Sequence, residues 1–416
     1  MILPYIKELA AGIEASLRSD PNQDSARKRF TLEIARLGIR LFSGEERVAW
    51  CGVFAPFDLL TAVGVTSCFA EFVGGWLATI GAVQPMLEKA EQAGYSTDSC
   101  SYHRGVIGAA LEGMMPEPDF LIATSTPCSG GMATTENLSR HFSKDLFTIH
   151  IPRDDGPEGV KYLADQYRAM VDFVTAQIGQ PMDAARLRQA MEKTNRARAL
   201  LDEAYALAQA VPTPARRRDM SNLGIVLPLL FGSEAGIEVA RAYRDEFARK
   251  VKAKIAGVPG ERIRLMWLQN RIQFSNPLEQ WLEEEHKAVL VFDELNQICW
   301  DPIDLEDPYI GLARRALSIP LGGPIERRIR NLQQHARAYR VDGAINPCHW
   351  GCRQGTGGRG LVERGLKEVG VPVLNLEVDC VDPRHFSEGQ LRTRLEAFIE
   401  MIEGRGAGGA RLEVAS

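Results

Sequence analysis

The sequence predicts an α/β protein: two parallel-sheet domains of the flavodoxin/Rossmann kind, with a helical segment inserted between them. Three observations predict it. Short apolar runs recur, each running into a loop rich in Gly, Ser or Pro and then into helical spacing, which is the pattern of a parallel sheet covered by helices. The stretch 158–210 breaks that rhythm, being rich in Ala, Arg, Leu and Glu with almost no breakers, so it reads as a long helix or helical hairpin. The 416 residues suit two or three domains of roughly 100–200 each. The expected divisions are 1–157, 158–220 and 221–416.

Residues 1–45 carry helical periodicity, clearest from Arg27 to Leu41. Val48-Ala49-Trp50-Cys51-Gly52-Val53-Phe54 reads as a buried strand ending at Pro56, where a helix starts. The most apolar region, 48–83, is interrupted by Pro56, Asp58, Glu71 and glycines, so it reads as buried strand and helix rather than a membrane span. A helix within 84–99 ends near Gly94. The strand Asp119 to Thr124 enters the loop Ser125-Thr126-Pro127-Cys128-Ser129-Gly130-Gly131, and a helix carrying Glu136 and Leu138 follows. Phe147 to Ile151 is a strand stopped by Pro152. Pro212-Thr213-Pro214 marks a boundary. The second half holds strands at Ile263–Leu268, Ala288–Phe292, Gly343–Asn346 and Pro372–Glu377, a last helix near 387–403, and a flexible tail from Gly404 to Gly409. No short repeat is visible.

Composition narrows the function. With 45% hydrophobic and 25% charged residues the chain is an ordinary globular protein. A net charge of −5 offers no basic face for nucleic acid. The N-terminus lacks the basic-then-apolar order of a secretion signal, so the cytoplasm is the expected compartment. There, clustered cysteines bind metal or do redox work more often than they form disulfides.

The eight cysteines differ in context. Cys51, Cys128, the Cys348/Cys352 pair and Cys380 lie at or beyond predicted strand ends, which converge on one crevice in parallel sheets. Cys100 opens a helix at Ser99-Cys100-Ser101-Tyr102-His103, where the dipole favours thiolate. Cys68 and Cys299 have no such loop context and read as structural. Paired thiols in Cys348-His349-Trp350-Gly351-Cys352 suit a soft metal, and iron–sulfur clusters are held by such thiolates. Zinc at Cys348, His349 and Cys352 is the rival, weakened by the lack of a second close pair. His103 and His349 are candidate proton donors or hydrogen-bond donors to sulfur. Gly355-Thr356-Gly357-Gly358-Arg359-Gly360 is either a mobile loop or an anion cradle, and it is no ATP motif because no Gly-Lys-Ser/Thr follows. The runs Arg216-Arg217-Arg218 and Arg327-Arg328 are solvated faces or contacts for an acidic partner or the phosphates of a CoA ester.

From Asp342 to Glu400 these residues resemble the 2-hydroxyacyl-CoA dehydratase and benzoyl-CoA reductase superfamily, with weaker likeness over nearly the whole chain. The carriers are Cys348-His349-Trp350-Gly351-Cys352-Arg353-Gln354, the run Gly370 to Asp379, and Gly389-Gln390-Leu391-Arg392-Thr393-Arg394-Leu395-Glu396-Ala397-Phe398. Phe54-Ala55-Pro56-Phe57-Asp58-Leu59-Leu60 is similar to an early family element, with Asp58 where Glu is usual. The resemblance implies a cubane held by three cysteines, matching Cys100, Cys128 and Cys352. This chain carries Cys348, Cys380 and Cys51 besides, and six ligands would suit two 4Fe–4S cubanes or an 8Fe–9S double cubane. It further implies a homologous second subunit or a homodimer, an acyl-CoA substrate, and a separate ATP-hydrolysing 4Fe–4S activator that delivers low-potential electrons. The motif looks most like the larger catalytic subunit of ATP-dependent benzoyl-CoA reductase, which makes an oxidoreductase acting on an aromatic acyl-CoA the leading expectation. The alternatives are an (R)-2-hydroxyacyl-CoA dehydratase subunit, a homodimeric double-cubane reductase of small molecules, and a non-catalytic partner subunit.

Overall fold

The structure, a computed structural model, describes residues 2–19, 25–220, 223–297 and 300–408. Two four-stranded sheets form, each wholly parallel. The first contains β1 (Val48–Cys51), β2 (Thr66–Phe69), β3 (Phe120–Thr124) and β4 (Leu146–Ile149) in the order β2-β1-β3-β4. The second contains β5 (Ile263–Trp267), β6 (Ala288–Asp293), β7 (Gly343–His349) and β8 (Val373–Val378) in the order β6-β5-β7-β8. The two orders are one topology used twice. In each sheet the strand order reverses between the first and third strands, where parallel sheets open a crevice beyond their C-terminal ends.

Strands β1, β2, β3, β5 and β7 are buried along their whole length, as sheets covered on both faces require. The segment 158–210 folds as a hairpin of two helices, Pro157–Ile178 and Ala184–Ala208. Asp183 caps the second helix by accepting from the Ala185 and Arg186 N–H groups. That helix packs on Phe57–Val63 from the first half and Glu234–Lys252 from the second. One continuous apolar core therefore runs through both sheets and the hairpin, while the N-terminal helices Ile2–Ser19 and Ser25–Ser43 share a small satellite cluster around Ile6, Ala10, Leu32 and Ala35.

Four details depart from expectation. The first strand stops at Cys51, and the next residue, Gly52, presses against Thr124: a Cβ there would stand 2.9 Å from the Thr124 nitrogen. The short strand β2 was concealed inside the apolar region 48–83. Strand β7 continues through Pro347 to His349. By then it has passed the last residue paired with β5 and pairs with β8 alone, so the missing proline N–H removes no bond to β5. The last helix runs Glu388–Gly408, past the expected start of a tail at Gly404. Cys299 lies outside the described residues. Among the described residues no helix is long and apolar enough to cross a membrane.

Candidate functional site

A cavity of about 900 Å³ opens between the two sheets, within the range of sites for small organic ligands. Cys100, Cys128 and Cys352 all line it. Each is the N-cap of a helix: Cys100 of Ser101–Leu111, Cys128 of Ser129–Phe142 and Cys352 of Arg353–Gly357. Cys128 follows β3 and Cys352 follows β7, the equivalent strand of the other sheet. Their local chemistry matches. The Cys128 sulfur accepts from the Gly131 N–H at 3.4 Å, and the Cys352 sulfur accepts from the Gly355 N–H at 3.3 Å. Both third residues are glycines that stand close to the ends of polar side chains. A Cβ on Gly131 would lie 2.7 Å from Glu71 Oε1, and one on Gly355 would lie 3.2 Å from Gln269 Oε1.

Cys100 comes from a different station, the loop between β2 and β3. Gly351 brings it to the others. This residue has φ +75°, and a Cβ on it would stand 2.6 Å from the Cys100 nitrogen, so the loop after β7 meets the Cys100 backbone directly. Ion pairs hold that apposition. Buried Arg104 pairs with Glu91 and, at 3.6 Å, with Asp382, while Arg384 bonds both carboxylates. Ser101 Oγ donates to Asp379 at 2.5 Å across the same boundary.

Burial raises the Cys100 and Cys128 thiols above their ordinary range, and the charge of Cys352 raises both further. The Tyr102 and His103 N–H groups oppose this at Cys100, as the Gly131 N–H does at Cys128. Cys100 and Cys128 therefore keep their protons near neutral pH until a metal cation displaces them. Among the described residues, no three His, Cys, Asp or Glu side chains close around a single ion. The donor set, three thiols lining one cavity, is of the chemical type that holds iron–sulfur clusters.

The other four described thiols do not line the cavity. Cys51 is fully buried in β1 and Cys68 in β2. Cys348 is buried in β7 with its sulfur toward Asn346 O and Asn375 Oδ1, at 3.6 and 3.7 Å. The zinc grouping of Cys348, His349 and Cys352 is therefore not assembled. Cys380 is buried beyond β8, 3.9 Å from Asn270 O, near enough to Cys100 and Cys352 to feel their charge.

The two histidines sit differently. His103 lines the cavity with Nε2 at 3.9 Å from the Cys128 sulfur. Thr134 donates its hydroxyl to Gly130 O, so it accepts the His103 Nδ1 proton at 2.8 Å and leaves Nε2 with a lone pair. Burial, aided by His349, pulls the His103 pKa down to about 4, so the ring is neutral near pH 7. His349 stands behind Cys100 and does not line the cavity.

Sequence reasoning missed Glu71. It lines the cavity just beyond β2, its Oε2 is buried with no hydrogen-bond partner among the described residues, and burial pushes its pKa up to about 7. Glu71 appeared in the sequence only as a charge interrupting an apolar run. A lone carboxylate inside such a run was the available signal. Asp58, by contrast, is occupied: it pairs with Arg315 at 2.5 and 3.2 Å and accepts from Thr194 Oγ1 at 3.2 Å, joining both halves to the helical hairpin.

The matching family model is described as 2-hydroxyglutaryl-CoA dehydratase, D-component, and it covers residues 52–402. The chain is 24% identical over 393 residues to lactoyl-CoA dehydratase subunit alpha of Anaerotignum propionicum, covering 86% of this chain and 91% of that protein. It is 23% identical to the (R)-phenyllactyl-CoA dehydratase alpha subunit of Clostridium sporogenes, covering 86% and 90%. It is also 25% identical to a benzoyl-CoA reductase subunit of Thauera aromatica, covering 78% and 81%. The chain belongs to the 2-hydroxyglutaryl-CoA dehydratase D-component family, whose members similar to it are dehydratase and reductase subunits.

Proposed function

We propose that this chain is the cluster-bearing subunit of an enzyme that passes single electrons to an aromatic acyl-CoA. Cys100, Cys128 and Cys352 would hold one 4Fe–4S cluster, and Cys51, Cys348 and Cys380 would take no part. The observation that carries this reading is the meeting of three N-capping thiols, contributed by both sheets, in one cavity. When bound, the cluster supplies electrons one at a time at low potential. The activator that hydrolyses ATP and the homologous second subunit belong to the same proposal. The relatives are themselves named as subunits, which supports the second of these.

The chain's own residues supply the rest. Phe54, Phe57, Phe69, Phe72 and Trp76 line the cavity and suit an aromatic acyl group. Arg27, Arg218 and Arg353 line it without an ion-pair partner among the described residues, and suit CoA phosphates. Arg218 belongs to the basic run whose second reading was phosphate contact. Glu71 is poised to give or take a proton near neutral pH. Neutral His103 presents a lone pair and so acts as acceptor, not donor.

The leading reaction is reduction of the acyl ring, which consumes two electrons and two protons per product. Elimination of water from a 2-hydroxyacyl-CoA is the second reading. It is favoured by the wider match to dehydratase alpha subunits, 86% of this chain against 78% for the reductase subunit. Elimination is redox-neutral, so its electron returns. The test is anaerobic purification with the partner subunit and activator, iron counting, and electrons consumed per turnover on benzoyl-CoA and phenyllactyl-CoA. About four irons per chain with stoichiometric electron use supports reduction. Many turnovers per electron replaces it with elimination. Absence of iron overturns both.

A further inference from the structure

The three cavity thiols are not equally supported. Cys128 and Cys352 each accept a capping hydrogen bond from the glycine three residues on, whereas the Tyr102 and His103 N–H groups face the Cys100 sulfur without closing a capping bond. A side chain from the other sheet adds to them. His349, the last residue of β7, is 1% exposed, and its Nε2 lies 3.4 Å from the Cys100 sulfur. The tautomer follows from the other nitrogen. His349 Nδ1 accepts the Cys380 N–H at 3.0 Å, so the ring proton resides on Nε2 and points at sulfur.

The surroundings fix this arrangement. Asp379 Oδ1 stands 3.7 Å from Nδ1, but it already accepts from Ser101 Oγ and from the Val381 and Asp382 N–H groups, at 2.5, 2.9 and 2.8 Å. Asp379 therefore holds the turn that aims the Cys380 N–H, and it does not take the imidazole proton. Tyr102 meets the ring edge-on, with centroids 5.5 Å apart at 86°. An imidazole whose Nδ1 lone pair is engaged and whose Nε2 carries hydrogen donates to sulfur and cannot bind iron without losing that proton.

We propose that His349 is a positioning residue that sets the cluster's potential by donating a hydrogen bond across the domain boundary to the Cys100 sulfur. The inference rests on the cluster proposed above. An N–H···S bond stabilises the more negative, reduced cluster more than the oxidised one, so it raises the potential. It also couples the potential to domain apposition, because donor and acceptor belong to different sheets.

The experiment is an EPR-monitored redox titration of the anaerobic holoprotein, comparing wild type, His349→Phe and His349→Gln. Phe keeps the ring against Tyr102 and removes the donor, whereas the Gln amide restores an N–H. The Phe variant, carrying wild-type iron, should show about a tenfold lower ratio of reduced to oxidised cluster at fixed poise, equal to ~59 mV for one electron. Gln should recover most of that shift. Equal midpoints in iron-loaded protein overturn the inference alone, while wild type that takes up no iron overturns the cluster reading and this inference with it. A second measurement uses the same variant. Protein labelled with ¹⁵N-histidine should give, by electron–nuclear double resonance, a weak nitrogen coupling that His349→Phe removes, which separates it from any coupling of His103 beside Cys128. Absence of coupling, or the strong coupling of a direct iron ligand, overturns it.

Discussion

The two sheets are the same device used twice, yet they do not contribute alike. Both run 2-1-3-4 in strand order, and both place a cysteine at the helix that follows the third strand, with glycine three residues on. The first sheet then adds Cys100 on the helix before β3. At the equivalent station of the second sheet, the helix Ile325–Ala338, the N-cap is Pro324. The second sheet offers His349 instead, aimed at the thiol it lacks. Matched backbones thus fix where a ligand can stand, and single side chains decide whether one does.

The comparison breaks most sharply at the thiols themselves. Cys128→Ser and Cys352→Ser should each abolish iron binding and activity, whereas Cys51→Ala and Cys348→Ala should keep wild-type iron by metal analysis. Iron lost from Cys348→Ala would restore the six-thiol arrangement. The next effect is on the clasp between halves. Arg315→Met leaves Asp58, 1% exposed, without its charge partner, and should lower unfolding free energy by about 3–5 kcal/mol in chemical denaturation. An unchanged denaturation midpoint would remove Asp58 from the clasp. Smaller, and directed at the meeting point of the sheets, Gly351→Ala must take φ +75° and press on the Cys100 backbone. It should cost roughly 1–3 kcal/mol and reduce iron content along with stability.

A pH dependence is expected as well. The Glu71 pKa rises from 4.5 in the unfolded chain to about 7 in the fold, so the native state holds a proton that the unfolded state releases. Its stabilising contribution is present below about 4.5 and is lost as pH rises through about 7. Glu71→Gln should flatten apoprotein stability across that window in a series of thermal melts. His335 offers a control away from the cavity. Its pKa is lowered by burial to about 4, its ring stacks on Phe292 at 4.8 Å, and its contribution is present above 6.5 and lost as pH falls through about 4. The Glu71 variant should leave that acid limb unchanged.

Much of the fold was legible along the chain. Strands β1, β3, β4, β5, β6, β7 and β8 announce themselves as short apolar runs, and β1, β3, β5 and β7, buried along their whole length, have no regular polar alternation to hide them. Strand β2 did not, since Thr66-Ser67-Cys68-Phe69 merges with apolar helices on either side. The Cys-x-x-Gly spacing at Cys128 and Cys352 was also present in the sequence, but Cys348 shares it through Gly351, so spacing alone does not separate the cavity thiols from the buried one.

The sequence by itself determined the α/β class, the helical hairpin at 158–210 and the cysteines at strand ends. These follow from periodicity and local backbone preference, which act over a few residues. Only the tertiary structure decided which thiols face the cavity, that Glu71 stands beside them, and that His349 turns its proton toward Cys100. Those depend on loops more than two hundred residues apart meeting at Gly351 and Cys100, and on burial, which changes a carboxyl or an imidazole only when another part of the chain excludes water from it.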